Sequence, residues 1–382
     1  MSKLLTVYDD HEPLNNVIST LTLNVEEVFF VYHHEVSRNT FINIDKVLHK
    51  YLEDLRISFI QLDEDEKQLN GLLYENPDAV IDVGASKYLS LLLFEIANRG
   101  QNQIIYYDNE ENVIKDYRTH SVIYGEVFKL KIEDVLKLRG GEIQSYMHHS
   151  ATDTKTRETV LSTVENNIDN YAAFIRYMTK LNSLVNSSRQ NGSHRFLLTD
   201  DTVQKIKTDT CYRKIGDLFE IRDNMLTFKT ARLKEMVCVS GAFLENYLYI
   251  RLTESGLFDD VIMSAVIDFS DDKYIQPVRC EIDCMVMRNN RLLFVSCKSS
   301  KADTSDLNEI YVHNSMFGNA LSVPVLCVGE ELDRKYPSIY AKAEELGIYI
   351  IDKSSFIDKD IVIVFLEILD GTYAYDSLSY SL

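Results

Sequence analysis

The feature that most constrains the fold is an alternation of short apolar runs with amphipathic stretches in the first third of the chain. Helical stretches such as PLNNVISTLTL and KYLSLLLFEIANRG separate the apolar runs. Strands and helices that alternate at this pace form βαβ crossovers, so the pattern predicts a mostly parallel sheet. Five runs are typical of its buried strands: LLTVYDD (4–10), VFFVYHH (28–34), ISFIQLD (57–63), AVIDVG (79–84) and QIIYYD (103–108).

Two of these strands end in polar, turn-forming residues. In open parallel sheets, ligands bind beyond the carboxyl ends of the strands, where helix N-termini offer free N–H groups. The segment YDDHEPLNN (8–16) follows the first strand and supplies the candidate ligand-binding residues Asp10, His11 and Asn15. No GxGxxG follows any strand, which argues against a dinucleotide cofactor.

The second strand end is DVGASKYL (82–89), where small residues precede a Ser and a Lys at the start of a helix. A helix N-terminus with a hydroxyl and an ammonium suits an anionic ligand. An ordinary strand–helix turn capped by Ser86 is the alternative interpretation. The candidate ligand-binding residues here are Gly84, Ala85, Ser86 and Lys87.

Composition places the chain among globular proteins that do not attract nucleic acid over their whole surface. It is 45% hydrophobic and 26% charged, with a net charge of −19 that divides into −11 over residues 1–150 and −8 over residues 151–382. Because neither part is basic, a nucleic-acid contact must be a local patch. The best candidate is KIKTDTCYRK (205–214) with Arg232 and Lys234.

The six cysteines and the apolar runs bear on the compartment. The cysteines contain no CxxC pair and fall among apolar residues, which predicts reduced, buried thiols in a cytoplasmic protein. No apolar run reaches the ~20 residues that span a bilayer. The N-terminus turns acidic within ten residues and lacks a small-residue cleavage site, so we expect no signal peptide and no membrane.

A different pattern begins near residue 142. At 382 residues the chain is too long for one ordinary core. We therefore expect an N-terminal α/β domain (1–141), a helical or winged connector (142–227) and a C-terminal domain (228–382). The connector contains TVENNIDNYAAFIRYMTKLNSLVNS, whose apolar residues recur at helical spacing.

The C-terminal part holds the stretch that carries the chemistry, CEIDCMVMRNNRLLFVSCKSS (280–300), which is typical of a hairpin. Glu281 and Asp283 are two residues apart on its first strand, so they project from the same face. Lys298 lies near the end of the returning strand. Upstream, VSGAFLENYLYIRLTESG (239–256) predicts a helix whose apolar side is formed by Phe243, Tyr247, Leu248 and Ile250, with Glu245 among them.

Two resemblances follow from these motifs. DVGASK resembles the TGG[ST]K loop of CARF domains, the Rossmann-like sensors of CRISPR defence, although Val83 and Ala85 depart from that pattern. The helix with Glu245 followed by the hairpin with Asp283 and Lys298 resembles the PD-(D/E)XK nucleases. The hairpin by itself is a weak motif, but helix-then-strand segments follow it at 307–329 and 341–356. Over nearly the whole chain, the sequence resembles the CRISPR ancillary nucleases that join these two domains.

The resemblance implies a fold and an activity. The fold is α/β, with a CARF domain and a restriction-endonuclease-like domain. The activity is metal-dependent endonucleolytic cleavage of single-stranded DNA, RNA or both in type III CRISPR defence. Nicking of duplex DNA is a further possibility that the resemblance implies. The implied activator is cyclic tetra-adenylate, bound across a homodimer by the residues named above.

The resemblance also implies roles for the site residues. Asp283 and Glu245, with the carbonyl of Cys297, would bind Mg²⁺ or Mn²⁺, since hard cations prefer oxygen ligands. Lys298 would orient the attacking water and stabilise developing charge. Ser296 stands where the family has Glu or Asp, and Glu281 is the candidate that replaces the missing carboxylate. The alternative is that the site does not catalyse cleavage and that the protein is a ligand-sensing regulator that binds nucleic acid.

Overall fold

The computed structural model describes residues 2–8, 13–63, 65–84, 88–147, 153–239, 241–269, 278–299, 302–317, 322–332 and 338–373. The chain divides into two compact units. The first consists of Met1–Gln144, Ile267–Cys280 and Met316–Leu321, and the second of Ser145–Val266, Glu281–Ser315 and Ser322–Leu382. The three-segment division at residues 141 and 227 stays a prediction.

One sheet forms the centre of the first unit. Its strands are β1 (Lys3–Val7), β2 (Glu27–Tyr32), β3 (Arg56–Gln61), β4 (Val80–Asp82), β5 (Ile104–Asp108), β6 (Val113–Asp116) and β7 (Val122–Tyr124). They lie in the order β3-β2-β1-β4-β5-β6-β7. The first five are parallel, and β6 and β7 continue the sheet as antiparallel strands. The five predicted strands and the mostly parallel sheet are thereby confirmed.

Helices follow the parallel strands, as expected of βαβ crossovers. They are α1 (Pro13–Leu23), α2 (Arg38–Tyr51), α3 (Asp65–Glu75), α4 (Tyr88–Arg99) and, after the antiparallel strands, α5 (Ile132–Leu138). Strand β1 is buried from Leu4 to Val7 because it lies between β2 and β4. The chain adds β2 on one side of β1 and β4 on the other, so the direction of strand addition reverses between β1 and β4. Such a reversal opens a crevice beyond the carboxyl ends of the two strands.

The second unit begins with helices and a small antiparallel sheet. After β8 (Gly141–Met147), the chain forms α6 (Thr154–Glu165), α7 (Tyr171–Ser187), β9 (Arg189–Gln190), β10 (Arg195–Leu197), α8 (Asp200–Thr208), α9 (Thr210–Lys214), β11 (Phe219–Arg222) and β12 (Met225–Phe228). The sheet order is β11-β12-β10-β9. Helices and a small sheet thus occur together here, and the assignment of this segment as a connector stays a prediction.

A second large sheet carries the hairpin. The remaining elements are α10 (Ala231–Cys238), α11 (Ala242–Ser255), β13 (Asp260–Phe269), β14 (Val278–Arg288), β15 (Arg291–Lys298), α12 (Thr304–Phe317), β16 (Ser322–Val328), α13 (Ser338–Glu345), β17 (Tyr349–Ile351), α14 (Lys353–Asp358) and α15 (Ile361–Leu369). The strand order is β17-β16-β15-β14-β13-β8. Strands β15, β16 and β17 are parallel, whereas β14 and β15 are antiparallel.

Helix α11 differs from its prediction. The sequence assigned one apolar side to this helix, but the structure buries residues on nearly all of its faces, including Leu244, Asn246, Tyr249 and Leu252. A helix that is buried all round belongs to a core rather than to a surface. Glu245 lies on this helix and is itself partly buried.

Two further expectations concern the cysteines and the membrane. The cysteines that the structure describes are unpaired, and Cys280, Cys284, Cys297 and Cys327 are buried. Cys238 is exposed, so the expectation that all thiols are buried is wrong at that position, near the end of the surface helix α10. In the described parts of the chain, no helix has the length and apolar character needed to cross a bilayer.

Candidate functional site

A tight hairpin sets the positions of Asp283 and Lys298. Strands β14 and β15 are joined by Asn289 and Asn290, which both adopt left-handed backbone conformations with φ of 52° and 61°. Two consecutive positive φ angles define the turn that matches the natural twist of a two-residue hairpin, and Asn tolerates them. The register runs from the Arg288–Arg291 pair to the Cys284–Val295 pair. Asp283 therefore lies one residue beyond the paired part of β14, close to the end of β15.

Asp283 bonds directly to the returning strand. The backbone N–H of Cys297 donates to Asp283 Oδ2 at 2.6 Å. The N–H and C=O of one residue in an extended strand point to the same side, so the Cys297 carbonyl faces the side on which Asp283 lies. The structure thus places two of the predicted oxygen ligands, the Asp283 carboxylate and the Cys297 carbonyl, next to each other.

Glu245 approaches this group from the first turn of α11. Its helix begins after Gly241, whose φ of 91° favours glycine. A Cβ atom added at Gly241 would lie 2.9 Å from Glu245 Oε1. The absence of a side chain at Gly241 therefore gives the Glu245 carboxylate its room.

The pKa shifts show that the three predicted carboxylates share one environment. Burial raises the pKa of Glu245 to about 8, the negative charges of Asp283 and Glu281 raise it as well, and Arg232 opposes the shift. Burial also raises the pKa of Asp283, against the effects of the Cys297 N–H and the Lys298 ammonium. Burial and the neighbouring carboxylates therefore disfavour the ionised form of Glu245, and a bound cation would favour it.

Helix α12 supplies residues that the sequence reasoning missed. Lys298 Nζ lies 3.1 Å from Asp306 Oδ1 and 3.9 Å from Glu309 Oε2. Although burial opposes protonation, the Asp306 and Glu309 carboxylates raise the pKa of Lys298, so its side chain is an ammonium at neutral pH. The signal was present in the sequence, because Asp306, Glu309 and His313 recur at the three- and four-residue spacing of one helix face.

A cavity connects the hairpin with α12. Its volume is about 160 Å³, and it is lined by Glu281, Ile282, Asp283, Phe294, Val295, Ser296, Lys298, Glu309, Ile310 and His313. Glu281, Asp283, Ser296 and Lys298 thus lie at one cavity. Glu245 is not among the described lining residues. It lies close enough to Asp283 and Glu281 for their charges to raise its pKa. Burial lowers the pKa of His313, which makes its imidazole neutral at pH 7.

The oxygen atoms at this site meet the requirements of a divalent cation that keeps part of its water shell. Within the described ranges, no group of three or more His, Cys, Asp or Glu side chains lies close enough together to hold a metal ion. Mg²⁺ usually keeps several waters and takes only one or two protein carboxylates. The carboxyl groups of Glu245 and Asp283 and the adjacent Cys297 carbonyl form an all-oxygen set. These residues fit Mg²⁺ or Mn²⁺.

The first unit has its own polar centre at the ends of β1 and β4. Thr6 pairs with Asp82 across these strands, and Thr6 Oγ1 donates to Asp82 Oδ2 at 3.1 Å. The N–H of Gly84 donates to Asp82 Oδ1 at 2.9 Å. A Cβ atom at Gly84 would lie 3.1 Å from that same oxygen and 3.5 Å from the backbone nitrogen of Tyr107. Glycine is therefore needed here for close approach, rather than for a positive φ.

The predicted ligand-binding residues are only partly described. Asn15 lies in the first turn of α1, where its side chain is 5% exposed. Its Oδ1 atom and that of the neighbouring Asn16 are buried without a hydrogen-bond partner among the described residues. Gly84 follows the end of β4 by two residues, and its N–H donates to Asp82. Asp10, His11, Ala85, Ser86 and Lys87 lie outside the described residues.

Comparison with known proteins adds a domain family and a fold. Residues 233–356 match the Card1-like endonuclease domain. No curated protein matches the chain. Among solved structures, protein VC1899 from Vibrio cholerae is 13% identical, with a TM-score of 0.78 over 97% of this chain and 99% of that one. Can2 from Sulfobacillus thermosulfidooxidans, solved with cyclic tetra-adenylate, is 15% identical, with a TM-score of 0.68 over 97% of each chain.

These matches agree with the two-domain α/β architecture described above. The endonuclease match includes Glu245, Asp283 and Lys298, while the fold similarity extends over both units. The expected α/β fold with two domains is confirmed. Residues 233–356 are thus similar to the Card1-like endonuclease domain, and the resemblance to the CRISPR ancillary nucleases is confirmed.

Proposed function

We propose that this protein is a metal-dependent endonuclease that is activated by cyclic tetra-adenylate and acts in type III CRISPR antiviral defence. The observation that carries the proposal is the cavity in which Asp283 and Lys298 meet, within the part of the chain that matches an endonuclease domain. The proposed substrate is single-stranded DNA, RNA or both. The proposed assembly is a homodimer, located in the cytoplasm.

The carboxylates and one carbonyl have the role of holding the cation. Asp283, Glu245 and the Cys297 carbonyl would bind Mn²⁺ or Mg²⁺, and Glu281 would take the place of the acidic residue that is absent at Ser296. When bound, the cation supplies a nucleophilic water at neutral pH and neutralises charge on the phosphodiester. The fold is consistent with a PD-(D/E)XK nuclease, since the helix, the strand with Asp283 and the strand with Lys298 follow in that order.

Lys298 has the role of a fixed positive charge. Asp306 holds its ammonium at 3.1 Å, at the wall of the cavity. A fixed ammonium hydrogen-bonds the attacking water and stabilises the negative charge that develops on the phosphate oxygens. The raised pKa keeps this group protonated through neutral pH, so its role does not depend on titration in that range.

The first unit has the role of the sensor. The structure of Can2, which has a similar fold, contains cyclic tetra-adenylate. In this chain, the crevice at the reversal between β1 and β4 is the site that such a sheet offers to a ligand. The activator would bind there, at the segments that contain Asp10, His11, Asn15 and residues 84–87, and would shift the dimer between two states.

The test is a cleavage assay with the purified protein, Mn²⁺, cyclic tetra-adenylate and single-stranded DNA or RNA. We expect cleavage by the wild type, and none by Asp283→Ala or Lys298→Ala although both variants still fold and bind the activator. Lys342→Ala is the matched control, since Lys342 forms an exposed ion pair with Glu345 on α13. Near-wild-type cleavage by either site variant would overturn the assignment.

Ser296 favours a second candidate function. With Ser in place of a carboxylate, the cavity has fewer ligands for a cation, which suits a protein that senses the activator and binds nucleic acid without cutting it. In that case the wild type would show activator-dependent binding of labelled single strands, with no product under any divalent cation. The same reaction mixture, analysed by gel shift and by denaturing gel, separates the two functions.

A further inference from the structure

A carboxylate that the proposed chemistry does not use lies at the centre of the first unit. Asp82 is the last residue of β4, next to β1 at the point where the direction of strand addition reverses. Its side chain is completely buried, with 0% exposure. Buried carboxylates are rare unless a cation or several donors compensate for the loss of water. The surroundings of Asp82 therefore call for an explanation.

Neutral groups surround Asp82 and connect both sides of the crevice. Asp82 accepts from the N–H of Gly84 and from the hydroxyl of Thr6. Thr6 in turn accepts from Asn16 Nδ2 at 2.6 Å, and the same amide donates to the Val7 carbonyl at 2.9 Å. This chain of hydrogen bonds runs from the loop after β4, through β1, to the first turns of α1. Asp82 thus holds together both segments that carry the candidate ligand-binding residues.

No cation in the described structure compensates for the charge of Asp82. The groups that influence its pKa are Gly84, Thr6 and Ser19, and burial outweighs them, so the pKa rises to about 6. On β5, the Tyr107 hydroxyl donates to Asn112, and Asp108 pairs with Lys115 at 2.9 Å. At neutral pH Asp82 is therefore mostly ionised. The hydrogen bonds from its neutral neighbours do not offset the free-energy cost of burying that charge.

We propose that Asp82 is a positioning residue of the activator site, and that activator binding is accompanied by uptake of a proton on its carboxylate. The inference rests on the proposed function, because it assumes an anionic nucleotide ring above Gly84. The phosphates of such a ring repel an ionised Asp82 and leave the protonated form undisturbed. The protonated carboxyl keeps the contacts, since one oxygen still accepts from Gly84 while the hydroxyl donates to Thr6. The proton comes from solvent.

The position of Asp82 makes the loop after β4 sensitive to the protonation of its carboxylate. Asp82 Oδ1 contacts the backbone N–H of Gly84 itself, so any change in the carboxylate acts on the loop that precedes Lys87. Because linkage is reciprocal, a ligand that raises the pKa of Asp82 must bind more tightly at lower pH. A rise of one pKa unit on binding corresponds to roughly fivefold weaker binding at pH 8 than at pH 6. Other charged residues of the two segments, Asp10, His11 and Lys87, lie outside the described residues.

The test is calorimetry of cyclic tetra-adenylate binding to the full chain between pH 6 and 8, in buffers with different heats of ionisation. We expect the wild type to take up protons and to lose roughly fivefold in affinity over this range. Asp82→Asn, which keeps the shape and removes the charge, is expected to show neither effect and to bind at pH 8 at least as tightly as the wild type.

Asp134→Asn is the matched control. Asp134 is a buried carboxylate of the same unit, but it is paired with Lys50 at 2.6 Å and serves the start of α5. Its variant should keep the wild-type pH slope. If Asp82→Asn retains that slope, the inference is wrong. If Asp82→Asn does not fold, Thr6→Val probes the same carboxylate by removing its hydroxyl donor, and an unchanged slope there is equally contradictory. Wild-type protein that does not bind cyclic tetra-adenylate at all would instead overturn the proposed function.

Discussion

At the scale of one residue, Glu245 shows how a buried carboxyl group can lower the stability of the folded protein. It lies on a helix that is buried nearly all round, and its pKa of about 8 far exceeds the ordinary value of 4.5. The folded state therefore binds a proton that the unfolded chain has released at neutral pH. Such a carboxylate destabilises the protein unless a cation is present, which is the behaviour expected of a metal ligand.

Glu245→Gln should change the pH dependence of stability. The raised pKa means that the folded state binds more protons than the unfolded state between pH 4.5 and 8, so the free energy of unfolding falls as pH rises. Without divalent cations, we expect the wild type to lose about 2 kcal/mol between pH 6 and 8 from this group. Urea denaturation of both proteins in EDTA measures the effect. Parallel pH profiles for wild type and variant would contradict the assignment.

Glu281→Gln tests which carboxylate compensates for Ser296. Glu281 lines the cavity on the same strand as Asp283. We expect Glu281→Gln to weaken cation binding and to raise the Mn²⁺ concentration for half-maximal cleavage. Glu309→Gln removes the cavity carboxylate on α12 and is the comparison. If calorimetric titrations show weaker Mn²⁺ binding only for the Glu309 variant, then Glu309 on α12 compensates for Ser296 instead of Glu281.

At the scale of elements, the entry into α11 controls where Glu245 lies. Gly241 and Gly256 flank this helix, and both have positive φ, at 91° and 65°. Only at Gly241 would a Cβ atom meet the site, 2.9 Å from Glu245 Oε1, while nothing lies within 4 Å of one at Gly256. Both ends of the helix thus have a left-handed glycine, and only the one at Gly241 is close to the Glu245 carboxylate.

Gly241→Ala should therefore reduce cleavage more than Gly256→Ala. Each substitution places Cβ in a left-handed conformation, which costs about 1–2 kcal/mol of stability. In Gly241→Ala the Glu245 carboxylate must also move, so we expect a loss of cleavage that Gly256→Ala does not show. Thermal melts establish that the two variants are comparably stable, and single-turnover cleavage rates then measure the displacement. Equal rates for the two variants would show that the position of Glu245 is not critical.

At the scale of the whole molecule, charge constrains how a nucleic acid or the proposed activator would bind. The net charge of −19 repels any nucleic acid, so attraction has to come from a few local cations. In the second unit, Lys298 lines the cavity, and Arg232 is near enough to influence the pKa of Glu245. The sensor is expected to rely in the same way on Lys87. Activity should therefore depend strongly on single cations.

Lys87→Ala should separate activation from catalysis. In a dimer, two copies of Lys87 would contact one cyclic ring, so one substitution removes two charge-assisted contacts. Each such contact is worth about 1.5–3 kcal/mol, so affinity should fall on the order of a hundredfold or more. We expect much more cyclic tetra-adenylate to be needed for cleavage, with a near-wild-type rate at saturation. Unaltered binding in calorimetry would move the sensor site away from DVGASK.

The sequence by itself determined the elements, because their signals are local. Periodicity of apolar residues located the parallel strands of the first unit and the β14–β15 hairpin, since burial of a strand requires only the order of its own residues. It also placed Asp283 and Lys298 in one group, because a two-residue turn sets the register over the whole hairpin. Resemblance to known motifs then supplied the chemistry that periodicity cannot express.

Only the tertiary structure decided which distant residues share an environment. Asp306 and Glu309 meet Lys298 because α12 packs beside the end of β15, and no local pattern encodes that contact. Burial on nearly all faces of α11, which shifts the pKa of Glu245, depends on the elements packed around that helix. The bond between Thr6 and Asp82 spans 76 residues and exists because β1 and β4 are neighbours in the sheet. Electrostatic interactions depend on distance in space and on exclusion of water, and both are set by the packed fold.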